Sequence, residues 1–454
     1  MSENEARLLG KSRAQVNPSA SDDRMAAIPR LSTNSSATWA GAAAYSLFHA
    51  WKVRGGPMGV AAVIVGCLLV LLALRDAFEV VLLPRRASRG FRFTAVFFRA
   101  GWGVWRTLAR AVPGGEARER LLSVFGPLIM LGLFALWAAG LILGFGLIQW
   151  GADGIWGPGA RRLFSHLYFS GVTFFTLGYG DLAPRTDFAK AAAVMEAGVG
   201  FGLIALVIGY LPVLYQLFSR REAHVLQLDA RAGSPPTAAV LLRRHTVDGE
   251  LTQLDPVFLT WEIWGAELLE SHLSYPMLAY YRSQHDDQSW LAALAAVLDA
   301  CALVLVSRGG AATLQARMTF AILRQVVVEM ARSLRIAGGD ARAGMTLAAD
   351  GYAELIAIFE DGEVPWPKGP EVEETLAAMR ATYAPLVHGL AGYLMIPLPG
   401  LAPATDAPDH WDRGPRGLIA RRLMEELAET TPLEAPFTRP HGRTFAARLR
   451  NRLR

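Results

Sequence analysis

The chain has 454 residues, 52% of them hydrophobic, with a formal net charge of +5 and two cysteines. A mean hydropathy of +0.26, with the apolar excess before residue 220, excludes an ordinary soluble protein and suggests a membrane protein of two or three units. Cys67 and Cys301 have no disulfide or metal-type spacing, and basic residues gather beside apolar runs and in a tail, which favours a membrane surface over nucleic acid.

Four of the 45 basic residues are lysine, a bias expected of a GC-rich bacterial genome. Residues 1–56 are rich in Ser, Ala and Asn without a sustained period and are expected to be disordered. Pro57–Leu74 is an uncharged apolar run of 18 residues, and its pattern continues to Leu83. It predicts a first transmembrane helix over 57–83. Arg75 and Glu79 stand four apart in it and can pair on one helical face.

Residues 84–120 carry nine arginines and two glutamates. Arg85, Arg92, Arg99 and Arg106 recur every seven residues with Phe and Trp between them. That spacing predicts an amphipathic helix in the membrane interface. An arginine ladder of the voltage-sensor kind is absent from every predicted span.

Leu121–Trp150 contains 30 residues without a charge and predicts a second span. A Gly/Pro-rich loop follows, and Arg161–Phe175 then reads as a helix too short to cross a bilayer. Phe188–Phe218 reads as the last span, with Lys190 and Glu196 as its charged residues.

Between these two elements stands Thr176-Leu177-Gly178-Tyr179-Gly180-Asp181. Alternating glycines let a backbone point successive carbonyls the same way. A ring of such carbonyls can replace the hydration shell of a cation. The stretch resembles the signature of the potassium-channel family, with Leu177 where Val is commoner.

The resemblance covers about 120–217 and implies an outer helix, pore helix, filter and inner helix. It implies K⁺ bound by the carbonyls of Thr176, Leu177, Gly178 and Tyr179, with the Thr176 hydroxyl, while Gly178 and Gly180 permit the backbone. Asp181 would stand at the filter mouth, and Tyr168, Phe169, Thr173 and Tyr179 would brace the filter. Some family members carry a carboxylate where this chain has Val172; Glu196 is the substitute, as a charged brace or as a protonated acid bonded to the pore helix. Gly200, Gly202 and Pro212 resemble the family's gating hinge and gate. One filter per chain implies a homotetramer in the cell membrane, with no cofactor besides the permeant K⁺. The 150–187 loop would face outside and the basic 84–120 segment and Arg220-Arg221 inside, as the positive-inside rule requires. The seven basic residues of 1–56 sit awkwardly with three spans.

Residues 219–396 read as an all-α cytoplasmic domain joined to the last span with little linker. Asp255-Pro256 reads as the N-cap and first turn of a helix whose Val257, Phe258, Trp261, Trp264, Leu268 and Leu269 share one stripe. Helical patterns also cover 288–307, 311–336, 341–360 and 371–395, and Ala238–Leu242 is a short strand candidate. Trp261, Trp264 and Trp290 read as core, and His272, His285, Asp286 and Asp287 as a solvated loop. Residues 397–454 form a Pro/Gly-rich, then Arg-rich tail. Its Thr438–Arg454 end has six arginines and no acid, which suits anionic lipid. Gly309-Gly310 lacks the rest of a nucleotide fingerprint, and no catalytic constellation is visible. The expectation is an all-α, potassium-selective channel gated at its inner helix, whose helical domain has an unidentified ligand or partner. The rival readings are a non-selective cation channel and a receptor or scaffold with a vestigial pore.

Overall fold

A computed structural model describes residues 57–81, 93–159, 162–283, 288–308, 313–336, 349–367 and 369–403, with isolated positions 419, 422 and 423. All of them fall in the compact unit Val53–Arg454. The expectations for 1–56, for the arginines at 85 and 92, for positions 285–287, 309 and 310, and for the tail from 438 lie outside the described residues. The protein is an all-α membrane protein with a helical C-terminal region. Among the described residues, four helices are long and apolar enough to cross a membrane.

Helix α1 spans Pro57–Val81 and α3 spans Glu116–Gly151. They pack antiparallel through glycines seven residues apart on each. A Cβ on Gly66 would lie 2.5 Å from the Gly144 carbonyl oxygen, and one on Gly151 would lie 2.5 Å from that of Gly59. Small residues of this kind let membrane helices approach closely enough for backbone contact. The expected Arg75–Glu79 pair forms at 2.8 Å. Asp76 beside it is buried and accepts from Trp137 Nε1 at 2.9 Å and from the Thr94 backbone N–H at 3.3 Å. A carboxylate in a span is tolerated when protein groups of this kind satisfy it.

Helix α2 covers Phe93–Ala111, and Pro113 with the Gly114-Gly115 turn ends it before α3. The helix that holds the uncharged run therefore starts five residues before it, at Glu116. The aromatic face of α2 is turned to protein and not to lipid. Phe98 and Trp102 are buried, and Trp102 Nε1 donates to the Tyr393 carbonyl at 2.9 Å. The exposed apolar face of α2 is a different one, made by Phe93, Val96, Val104 and Leu108.

Helix α4, Leu163–Phe174, is followed by the filter stretch and then by α5, Asp187–Ala232. A two-residue antiparallel pairing of Ile155–Trp156 with Ala183–Pro184 ties the entry of α4 to the exit of the filter stretch. Helix α5 runs unbroken for 46 residues, through Pro212 and into the C-terminal region.

That region begins with α6, Ala238–Arg244, capped by the Thr237 hydroxyl. The strand expected at Ala238–Leu242 is thus a helix, because the cap and the burial of Ala238, Ala239, Leu241 and Leu242 favour helical packing. The strands here are Thr246–Val247 and Glu250–Leu251. They join at Asp248-Gly249 with φ of 51° and 73°, the two-residue hairpin turn that Asp-Gly favours.

Helix α7, Leu254–Ser274, buries Val257, Phe258, Trp261, Trp264 and Leu268 as its stripe requires. Next come α8, Trp290–Arg308, and α9, Leu314–Leu334, and then α10, Ala349–Asp361. The pattern at 371–395 divides into α11, Pro370–Ala381, and α12, Ala384–Leu394, because Pro385 opens a new first turn. Helix α8 is apolar enough to span, yet 78% of its window is buried inside the protein. An all-round apolar helix wrapped in this way is the centre of a domain core. Asp299 on α8 holds Arg380 at 2.9 Å and Tyr383 Oη at 2.5 Å. The domain extends past 396, since Leu401 is buried and its carbonyl accepts from Ala239 N at 3.1 Å.

Candidate functional site

At ~1.5 Å per residue the 12 residues of α4 cannot cross a ~30 Å hydrocarbon layer. Instead α4 lies between α3 and α5 and delivers the filter stretch from its C-terminus. The way it ends decides the geometry that follows. Leu177 N–H donates to the Val172 carbonyl at 2.9 Å and Thr176 N–H donates to that of Thr173 at 3.0 Å. These are the two bonds of a Schellman cap, whose central residue is left-handed. Thr176 occupies that place with φ 55°. Glycine is the usual occupant, and a β-branched residue there is a strained exception of the kind found at functional sites.

The left-handed conformation then recurs at every second residue, with φ 62° at Gly178 and 80° at Gly180. In an ordinary strand, successive carbonyls point to opposite sides. Alternating the hand of successive residues turns them to one side. The glycines accept this conformation without the Cβ penalty. Residues 175–181 are all exposed in the single chain, so their carbonyl edge is open.

The residues expected as braces have the following surroundings. The Tyr168 hydroxyl lies close to the Asp181 carboxylate and to Tyr179. Phe169 is buried in a cluster with Ile155 and Leu182, so it anchors the loops on either side of the filter. Thr173 contributes its carbonyl to the cap.

Glu196 is fully buried on α5, and its Oε1 is hydrogen-bonded to Ser170 Oγ of α4. The same Ser170 Oγ reaches the Ile142 carbonyl of α3 at 2.7 Å. A hydroxyl has one proton, and the carbonyl can only accept. A protonated Glu196 donating to Ser170, which donates to Ile142, satisfies both contacts; a charged Glu196 leaves one of them without a hydrogen. Glu196 Oε2 has no partner among the described residues, which also suits a neutral acid. Of the two roles open for Glu196, the geometry matches the acid bonded to the pore helix.

The glycines of α5 divide by their surroundings. A Cβ on Gly200 would fall on the Phe174 carbonyl oxygen at the end of α4, so close packing accounts for this glycine. Gly202 and Gly209 have open space around them. Val194, Phe201, Ile208 and Tyr215 recur every seven residues along α5 and are 73%, 68%, 67% and 63% exposed.

Sequence reasoning missed the joint where α5 leaves the span. Arg221 is buried and donates to the carbonyls of Leu278 and Tyr281 at 2.9 and 2.8 Å, with Glu222 at 2.9 Å. His272, expected in a solvated loop, is also buried, and its Nε2 lies 3.5 Å from Arg221 Nη1. Burial first, then the neighbouring Arg221 charge, push His272 down to about 3. The turn that Arg221 grips, Pro276–Tyr280 with Tyr281, is wedged between α3 and α5. The Tyr281 ring occupies the space left by Gly126 on α3, and Tyr210 Oη meets Met277 Sδ at 3.6 Å. An arginine so close to an apolar run reads as a positive-inside flank, and no local signal in the sequence separates that from a buried clamp.

Comparison with known proteins bears on the segment that holds α4 and the filter stretch. Residues 157–216 match the family model described as ion channel. A curated relative, the uncharacterized membrane protein YdjJ of Bacillus subtilis (strain 168), is 26% identical over 224 residues. The match takes in 46% of this chain and 63% of the relative's length. No solved structure matches the chain significantly. The segment from Gly157 to Gln216, which holds α4, the filter stretch and the membrane part of α5, is an ion-channel domain within an all-α membrane protein.

Proposed function

We infer that the protein is a homotetrameric, potassium-selective channel of the cell membrane. The observation that carries this is the positive φ at Thr176, Gly178 and Gly180; a backbone of alternating hand would align the carbonyls of Thr176, Leu177, Gly178 and Tyr179 as one column. Four such columns around an axis would supply the oxygen cage that replaces the hydration shell of K⁺. A single chain has one column, and the exposed stripe from Val194 to Tyr215 is the apolar surface that neighbouring copies and lipid would cover. The filter faces outside and the C-terminal domain the cytoplasm, in keeping with Arg110, Arg118 and Arg120 at the opposite end of α3 from the filter.

We propose that α5 bends at Gly202 and Pro212 of the expected hinge, and at Gly209 between them. Gly202 and Gly209 have room to bend, and Pro212 removes the bond that Ile208 would otherwise accept. The 275–281 wedge and its Arg221 grip couple the C-terminal domain to this part of α5. A ligand or partner of the domain would act through different affinity for its closed and open arrangements. The test is flux from liposomes holding purified protein. K⁺ is expected to pass far better than Na⁺, with block by Ba²⁺; comparable K⁺ and Na⁺ flux would overturn the selective reading.

A further inference from the structure

Helices α7 and α9 pack side by side and run in the same direction. Thr319 Oγ1 donates to the Phe258 carbonyl at 2.9 Å, and further along α7 a Cβ on Gly265 would meet Leu323 and Ile322. Between these contacts Glu262 accepts from Gln315 Nε2 at 2.6 Å. One side of this seam is core, with Val257, Trp261 and Trp264 of α7 and Ala316 of α9 buried. The other side is open. Leu259 and Ile263 stand one position after Phe258 and Glu262, and Leu314 and Met318 one position before Gln315 and Thr319. In parallel helices these two offsets turn to the same side of the seam. All four residues are exposed, as are Ala266 and Ala321, which extend the two rows.

Charge is distributed unevenly around this apolar patch. The α7 row begins at Asp255 and ends at Glu270, whereas Arg317 and Arg324 flank the α9 row, and all four are exposed. Glu267 is drawn away to Arg220 of α5 at 3.5 Å. A contiguous exposed apolar patch rimmed by charge is the mark of a protein interaction site. With acid on one edge and arginine on the other, this surface is complementary to itself. A two-fold axis parallel to the helices lays α7 of one copy against α9 of the other, so that Leu259 meets Met318 and each acidic edge meets an arginine edge. An axis across the helices would set α7 on α7, with acid facing acid.

We propose that this patch pairs the C-terminal regions of two copies of the chain, α7 of one lying against α9 of the other. Within a tetramer such a contact lies outside the pore module and joins the C-terminal regions two by two. Helix α5 runs without a break into this region and Arg220 ties it to α7, so each pair links the ends of two α5 helices. Pairing of this kind does not depend on conduction.

The test is disulfide cross-linking of the full-length protein in detergent, in a Cys67→Ser background that leaves the buried Cys301 as the native thiol. Two differently tagged chains are co-expressed, one with Leu259→Cys and the other with Met318→Cys, and oxidised with copper phenanthroline. A covalent dimer carrying both tags is expected. It should exceed the dimer formed when both chains carry Leu259→Cys, or when both carry Glu374→Cys at an exposed position of α11. Arg317→Glu with Arg324→Glu in both chains should remove the mixed dimer, and adding Asp255→Arg with Glu270→Arg should restore it. No excess over the two controls, or charge reversal without effect, overturns the proposal; a patch covered by lipid or by a different protein would give the first of these results. Elution volume of the same sample reports the oligomer separately. A tetramer without the cross-link sinks the pairing alone, whereas a cross-linked species that elutes as a dimer supports the pairing and removes the tetramer.

Discussion

The filter stretch and the Arg221 joint sit near opposite ends of the membrane part of α5 and are built on opposite terms. At the filter stretch, residues 175–181 are exposed, with no cover among the described residues of the chain. At the joint, a charged side chain is buried with two carbonyls, a carboxylate and an imidazole around it. On the proposed reading, other copies and an ion would complete the filter stretch. The joint is finished within one chain. Substitutions at the filter should therefore abolish function while sparing the fold, and substitutions at the joint should cost stability while sparing selectivity.

The largest effect is expected for Gly178→Ala. An alanine at φ 62° pays roughly 1–2 kcal/mol, and a ring of four would pay it four times. Selective K⁺ flux should be lost, with helical content by circular dichroism and elution volume unchanged. Wild-type selectivity in this variant would show that the stretch is not the filter.

Arg221→Ala should come next. It leaves the Leu278 and Tyr281 carbonyls buried without a donor, at about 3 kcal/mol. The thermal midpoint should drop and open probability should change, while the K⁺ to Na⁺ ratio holds. A change in that ratio would break the contrast between the two sites.

Gly200→Ala and Gly202→Ala sharpen it from within one helix. The first drives a methyl into the Phe174 carbonyl and should disturb the filter; the second has open space and should only stiffen α5, by roughly 1 kcal/mol of helix propensity. Single-channel recording is expected to show altered conductance in the first and altered gating in the second. The reverse pattern would move the hinge to Gly200.

The smallest effect concerns acid. His272 is lowered from 6.5 to about 3, so the unfolded chain takes up this proton before the folded one does. The stability it contributes is complete above pH 6.5 and is lost as pH falls from 6.5 towards 3. Denaturant midpoints measured across that window should decline less steeply in His272→Gln than in wild type. Parallel curves would mean that His272 is already charged in the folded joint.

Local demands are what the sequence by itself determined. The positive φ of the filter stretch was legible because Gly178 and Gly180 answer a backbone need within their own few residues. The two long spans and the α7 stripe were legible because uncharged length and helical period are read within one element. The Asp248-Gly249 hairpin carried the same kind of signal and was available to be read. The tertiary structure decided everything that joins distant positions. Ser170 meets Glu196 across 26 residues and Ile142 across 28. Arg221 reaches Leu278 and Tyr281 across 57 and 60. Gly200 meets the Phe174 carbonyl only because Phe174 ends α4 beside it. The aromatic face of α2 is a protein face only because Tyr280 and Tyr393 come back to cover it. Periodicity shows which side of a helix wants cover, whereas the cover itself, lipid or protein, depends on where the rest of the chain packs.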